Sequence, residues 1–165
     1  MTGRGWFWFS VAAFVAALAW SAAVLPARVP VHFGATGEAD RFTSRTQALV
    51  ELGAIGLFVV LVFLGCERFA RRGSLAWVNV PHKDYWTRPE NEPTLRRMLA
   101  DDMWVIGTAT VLLLVSLAVQ VALVAHDPAP RLGPAFWVSL GVYVAVVVVW
   151  SVRMVTHRYR PPENS

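Results

Sequence analysis

One short segment gathers most of the chain's reactive side-chain types. Residues 25–42 read Leu25-Pro26-Ala27-Arg28-Val29-Pro30-Val31-His32-Phe33-Gly34-Ala35-Thr36-Gly37-Glu38-Ala39-Asp40-Arg41-Phe42. Pro26 and Pro30 hold the backbone extended. Gly34 and Gly37 permit a tight turn that folds His32 and Phe33 back towards Glu38, Asp40 and Arg41. One imidazole beside two carboxylates could form a weak metal site or a proton-sensitive switch. The same groups could instead hydrogen-bond loop backbone and hold the turn shut. No zinc-type ligand spacing is present, so no metal and no other cofactor is expected. His126 and Asp127, at the start of a second short loop, are candidates to join the cluster.

Two further polar residues stand inside long apolar runs. Glu51 is the only ionisable one, and Gln120 lies with Thr108, Thr110 and Ser116 in another run. An intramembrane carboxylate is costly and points to function. Glu51 is also one turn from the end of its run, where it could pair with Arg28, Arg41 or Arg45. Elsewhere, Asn79-Val80-Pro81-His82-Lys83-Asp84-Tyr85-Trp86 combines a proline break, a charge pair and two aromatics. Trp77, Tyr85 and Trp86 suit a headgroup boundary, with Lys83 on phosphate. Thr87-x-x-Glu90 fits a capping box, and Pro93 would limit that turn to a short piece. Leu95, Met98 and Leu99 form an apolar stripe beside Arg96 and Arg97, which reads as an interfacial helix. A docking site for a cytoplasmic regulator is the alternative. There is no P-loop, no Gly-x-Ser-x-Gly, no His-Glu-x-x-His and no cysteine pair, so no enzyme is expected. Cys66 reads as a buried or lipid-facing thiol.

What must position these residues is a set of four apolar runs. Trp6–Leu25 is twenty residues, Ala48–Cys66 nineteen, Met103–Ala125 twenty-three and Ala135–Val152 eighteen, interrupted only by Glu51. About 20 helical residues cross a ~30 Å hydrocarbon core. Hydrophobic residues make up 56% of the chain, and mean hydropathy is +0.47. The expected fold is a single all-α integral membrane domain over residues 1–165, four transmembrane helices in an antiparallel bundle. The spans are 6–25, 48–66, 103–125 and 135–152, joined by connectors 27–47, 67–102 and 126–134. The tail 153–165 reads as polar and mobile.

Charge placement orients the bundle. The net charge is +4, but the basic residues flank apolar runs, so the expected partner is the lipid bilayer and not nucleic acid. With the N-terminus inside, inner segments carry eleven basic residues and outer loops four. The positive-inside rule then puts both termini in the cytoplasm and the 27–47 loop outside the cell membrane. Trp6, Trp8, Trp104 and Trp150 would mark the inner boundary, Trp20 and Trp137 the outer. The first run is preceded by a single arginine and reads as a retained span, with a cleaved leader as the alternative. Arginine outnumbers lysine fourteen to one, a bias that accompanies GC-rich coding and fits a bacterial source. Ala12, Ala13, Ala16 and Ala17 offer small-residue spacing for close helix approach. Residues 7–16 also align without gaps on residues 136–145, as an inverted repeat or by coincidence.

The motifs carry a resemblance. Pro30-x-His32-Phe33-Gly34-x-x-Gly37-x-x-Asp40 resembles the signature of a widespread bacterial membrane family of unknown function, which also opens the SdpI-type toxin-immunity proteins. Asn79-x-Pro81-x-Lys83-Asp84-Tyr85-Trp86 is similar to the element those proteins place after their second span. Ala39 stands where that family often has proline. The resemblance implies a non-enzymatic sensing or immunity-type role. An extracytoplasmic peptide or toxin would be met at His32–Arg41, with output through residues 77–99. The alternatives are a small transporter or transporter subunit using Glu51 and Gln120, and a scaffold for a larger membrane complex.

Overall fold

The computed structural model describes residues 2–162. Its elements run α1 (Gly3–Val24), β1 (Arg28–Phe33), β2 (Ala39–Ser44), α2 (Arg45–Arg72), a 3-10 turn (Leu75–Trp77), α3 (Lys83–Trp86), α4 (Glu92–Val124), α5 (Pro134–Arg153) and a π-helical turn (Met154–Arg158). Helices α1, α2 and α4, and α5 with its π turn, are long and apolar enough to cross a membrane. All four helices extend past their apolar runs at one end or both, because residues at the ends continue the helical hydrogen bonding.

Local chemistry sets the ends. The Thr2 hydroxyl accepts from the Gly5 N–H, and α1 stops at Leu25, just before Pro26. The Ser44 hydroxyl accepts from the Gln47 N–H to open α2, which closes with Arg71 and Arg72 in its last turn. Pro93 sits in the first turn of α4, where its missing N–H costs nothing. The expected capping box at Thr87 does not form. Thr87 ends α3 and its hydroxyl donates back to the Lys83 carbonyl at 3.0 Å. Pro93 therefore begins a helix where it was expected to cut one short. That helix spans 33 residues, about 50 Å at the standard rise. The interfacial stripe and the third span are one rod.

Helix α4 is the hub, packed against α1, α2 and α5. Along α1 the buried residues are Phe7, Ser10, Phe14, Ala17 and Ser21, at alternating spacings of three and four. That repeat keeps one seam facing a neighbour. Phe7, Phe14, Trp104 and Val111 form the central cluster. Helix α2 comes close because Gly56 has no side chain: a Cβ there would overlap the Phe14 ring. Of the alanines expected to mediate approach, only Ala17 is buried. Trp104, expected at the inner boundary, is buried and packs on Phe7 at 5.0 Å between ring centroids. Helix α5 buries no residue and touches only α4 among the long helices. The aligned segments 7–16 and 136–145 thus occupy unlike positions, one central and one peripheral.

Two features depart from an all-helical, loosely tailed bundle. Residues 28–44 form an antiparallel hairpin, with Arg28 opposite Ser44, Val29 opposite Thr43, Pro30 opposite Phe42 and His32 opposite Arg41. Extended backbone enforced by Pro26 and Pro30, with β-branched Val29, Val31 and Thr43, gives strands. Pro30 is tolerated because a two-stranded ribbon has free edges. The tail, expected to be mobile, is folded through Tyr159, which is 1% exposed. Residues 163–165 of that tail lie outside the described residues.

Candidate functional site

The polar residues collect at two poles of the bundle. At the hairpin pole, Gly37 has φ +80°, which lets the turn close. Its N–H donates to the Gly34 carbonyl, and the Gly34 N–H to the Glu38 carbonyl, both at 2.9 Å. His32 Nδ1 then meets Asp40 Oδ1 at 2.6 Å, with side chains 57% and 53% exposed. Residues 130–132 lie along the turn. The Ala39 N–H donates to the Pro130 carbonyl at 3.0 Å, the Leu132 N–H to the Gly37 carbonyl at 2.8 Å, and Glu38 pairs with Arg131. Arg28 covers the Phe42 ring at 4.4 Å. Pro30 is buried, Phe33 half-buried and Arg41 exposed.

His126 and Asp127 do not join this cluster. His126 Nε2 is 2.9 Å from the Val24 carbonyl, and Asp127 accepts from the Ala129 N–H. They tie the second loop to the end of α1 and to itself. Among the described residues, no three of His, Cys, Asp and Glu converge as a metal site.

Glu51 finds a partner on its own helix. Gln47, one turn earlier, donates its side-chain N–H to Glu51 Oε1 at 2.9 Å. None of Arg28, Arg41 and Arg45 pairs with it, and Arg45 donates to the Leu25 carbonyl at 3.3 Å. Gln120 donates to Ser116 Oγ at 2.8 Å and to Ser139 Oγ at 3.1 Å. Ser116 and Ser139 are themselves 2.8 Å apart, across α4 and α5. Gln120 therefore faces α5 while Glu51 lies at the start of α2; the structure does not bring them together.

At the other pole, the 79–86 motif folds as a clasp. His82 takes a left-handed φ of 55°, which turns the chain into α3. Lys83 donates to the Ala76 carbonyl at 2.9 Å, and the Asn91 side chain to the Tyr85 carbonyl at 3.0 Å. Asn79 and Asp84 are exposed, and Pro81 and Tyr85 half-buried. Trp86 was expected at a headgroup boundary but is 6% exposed, in a cluster with Val80, Leu95 and Tyr159. Its indole N–H donates to the Tyr159 carbonyl at 2.9 Å. Trp77 is the residue left open, at 84% exposure.

Sequence reasoning missed the group beneath that clasp. Asp102 is fully buried and accepts from the Tyr159 hydroxyl and from Trp150 Nε1 at 3.2 Å, with Arg158 Nε at 2.7 Å. Burial, and then the adjacent Asp102, push the Tyr159 hydroxyl's pKa well above its ordinary value. The available signal was an acidic pair, Asp101-Asp102, flush with an apolar run and answered by Arg158 and Tyr159 in the tail.

Four apolar helices, a β-hairpin across one pole and a clasped tail at the other define a multi-pass helical membrane protein. Within it, residues 8–57 match a domain of unknown function (DUF1648). The match takes in most of α1, the whole hairpin and the first half of α2, in agreement with an uncharacterised family. Residues 79–86 and 102–159 lie outside it. No curated protein and no solved structure matches the chain.

Proposed function

We propose that the protein is a non-enzymatic binding or sensing protein of the cell membrane, with the hairpin pole outside and both termini in the cytoplasm. The supporting observation is the hairpin itself. Its His32–Asp40 pair stays more than half exposed on a turn braced by four backbone hydrogen bonds and the Glu38–Arg131 pair. Rigid, solvent-facing polar groups on a braced turn are suited to recognition. Eleven basic residues on the tail side against four on the hairpin side support the orientation.

By the resemblance to SdpI-type immunity proteins, the ligand met at His32, Glu38, Asp40 and Arg41 is an extracytoplasmic peptide or toxin. The output surface is the 77–99 clasp, facing a cytoplasmic regulator. The test replaces His32 or Asp40 by alanine and scores both the toxin-protection or signalling phenotype and the amount of protein in the membrane. The reading requires the phenotype to change at constant abundance. Parallel loss of both would leave the pair a purely structural element.

A further inference from the structure

Beneath the hairpin, α1, β1, α2 and α4 line a half-open chamber of about 150 Å³. Its wall is apolar, including Leu25, Val29, Leu52 and Ala118, apart from Ser21 and Glu51. Ser21 is 1% exposed, and its hydroxyl has no hydrogen-bond partner among the described residues. That is unusual for a helical hydroxyl in this chain that is not exposed. Thr108, Thr110, Ser139 and Thr156 each donate to the carbonyl four residues earlier on their own helix. Ser21 does not return its proton to α1, and the residue lies in the chamber wall.

A buried polar atom needs a partner, and the space can supply one. A water molecule occupies roughly 30 Å³ of liquid, so the chamber has room for several. Glu51 gives the wall its only charge. Gln47 engages Glu51 Oε1. Arg45, the basic residue that opens α2, is turned to the Leu25 carbonyl and is not part of the wall. A cleft with one sign of charge and low-dielectric walls concentrates counter-ions. Carboxylate, hydroxyl and water oxygens are ligands for hard cations, and one carboxylate balances one positive charge. Carboxylates inside a membrane domain characteristically face such water-filled spaces.

We propose that this chamber is a hydrated vestibule that binds a small monovalent cation between the Glu51 carboxylate and the Ser21 hydroxyl. It is distinct from the exposed His32–Asp40 pair and does not depend on what that pair binds.

Cysteine accessibility tests it. In a Cys66→Ala background, Ser21→Cys is placed in lipid nanodiscs, which expose both membrane faces. It is reacted with a cationic ethylammonium methanethiosulfonate and with its anionic ethylsulfonate counterpart. The thiolate takes the sulfenyl group as a mixed disulfide and methanesulfinate leaves. Ser21→Cys is expected to react at least tenfold faster than Ala17→Cys, buried one turn away. The cationic reagent should be preferred at least tenfold, and Glu51→Gln should bring that preference within twofold. A rate equal to that of Ala17→Cys, or no charge preference, overturns the proposal. Ser21→Ala supplies a second readout: in a hydrated chamber its melting temperature stays level or falls. A rise would mean that the hydroxyl faces a dry cavity, and would overturn the proposal equally.

Discussion

The Trp86 indole donates to the Tyr159 carbonyl at 2.9 Å across 73 residues of sequence. This bond joins the 79–86 motif to the tail, and the hydroxyl of the same Tyr159 donates to Asp102. Loop, tail and the entry of α4 are thereby one packed unit. Leu95, Trp86 and Tyr159 share a cluster, so the start of α4 packs directly against the clasp.

The cost of opening that unit separates its parts. Trp86→Phe keeps the ring and leaves the Tyr159 carbonyl without its donor, an expected loss of about 1 kcal/mol. Tyr159→Ala removes a side chain 1% exposed and leaves a cavity, at about 3–5 kcal/mol on the scale of aromatic truncation. Thermal unfolding in detergent should rank the two in that order. Equal shifts would mean that Tyr159 contributes no packing beyond its carbonyl.

Alkaline pH should act on the same residue. Burial, followed by Asp102, raises the Tyr159 pKa in the folded state. Up to about pH 10, folded and unfolded chains both hold the phenol proton, so its contribution is constant. Above that pH only the unfolded chain releases it, and stability falls by up to about 1.4 kcal/mol per pH unit. Tyr159→Phe has no proton to lose and should flatten this part of the profile. Denaturation midpoints measured from pH 8 to 11 for both proteins would settle the point. An identical slope in the variant would dismiss the assignment.

How much of this was legible in the sequence depended on range. The four rods could be read because run length and charge placement are local properties. The turn at Gly34 and Gly37 could be read for the same reason. Its brace could not, since Glu38 and Arg131 lie 93 residues apart. Tyr159 looked like part of a polar tail because its burial is defined by Trp86 and Asp102, which are distant in sequence. Glu51 was expected to seek arginine, yet Gln47 was already within one helical turn. At Pro93 two local rules competed, and the first-turn preference of proline prevailed over the capping box.

Gly56 offers a packing test. A Cβ at this position overlaps the Phe14 ring, so α2 must move away or Phe14 must leave its rotamer. Gly56→Ala is expected to lower stability by about 1–3 kcal/mol, in the range of overpacked cores. Phe14→Leu, with a smaller side chain, should recover part of that loss in the double variant. Melting temperatures of the two singles and the double form the required cycle. Strict additivity would show that Phe14 does not set the distance between α1 and α2.

At the hairpin pole the backbone should matter more than the ion pair. Glu38 and Arg131 side chains are 55% and 64% exposed, and pairs of this kind contribute about 0–1 kcal/mol. Glu38→Ala should therefore barely shift the melting temperature. Gly37 is different, because its φ of +80° places any Cβ against backbone, at about 1–2 kcal/mol for an ordinary residue. The strain falls where the Gly37 carbonyl accepts from Leu132 and its N–H donates to Gly34. Gly37→Val should accordingly loosen both the turn and the 126–134 loop. Limited proteolysis would then cut near residues 35–38 and 127–131 faster in Gly37→Val than in Glu38→Ala. Faster cutting in Glu38→Ala instead would mean that the ion pair, and not the turn geometry, holds the two loops together.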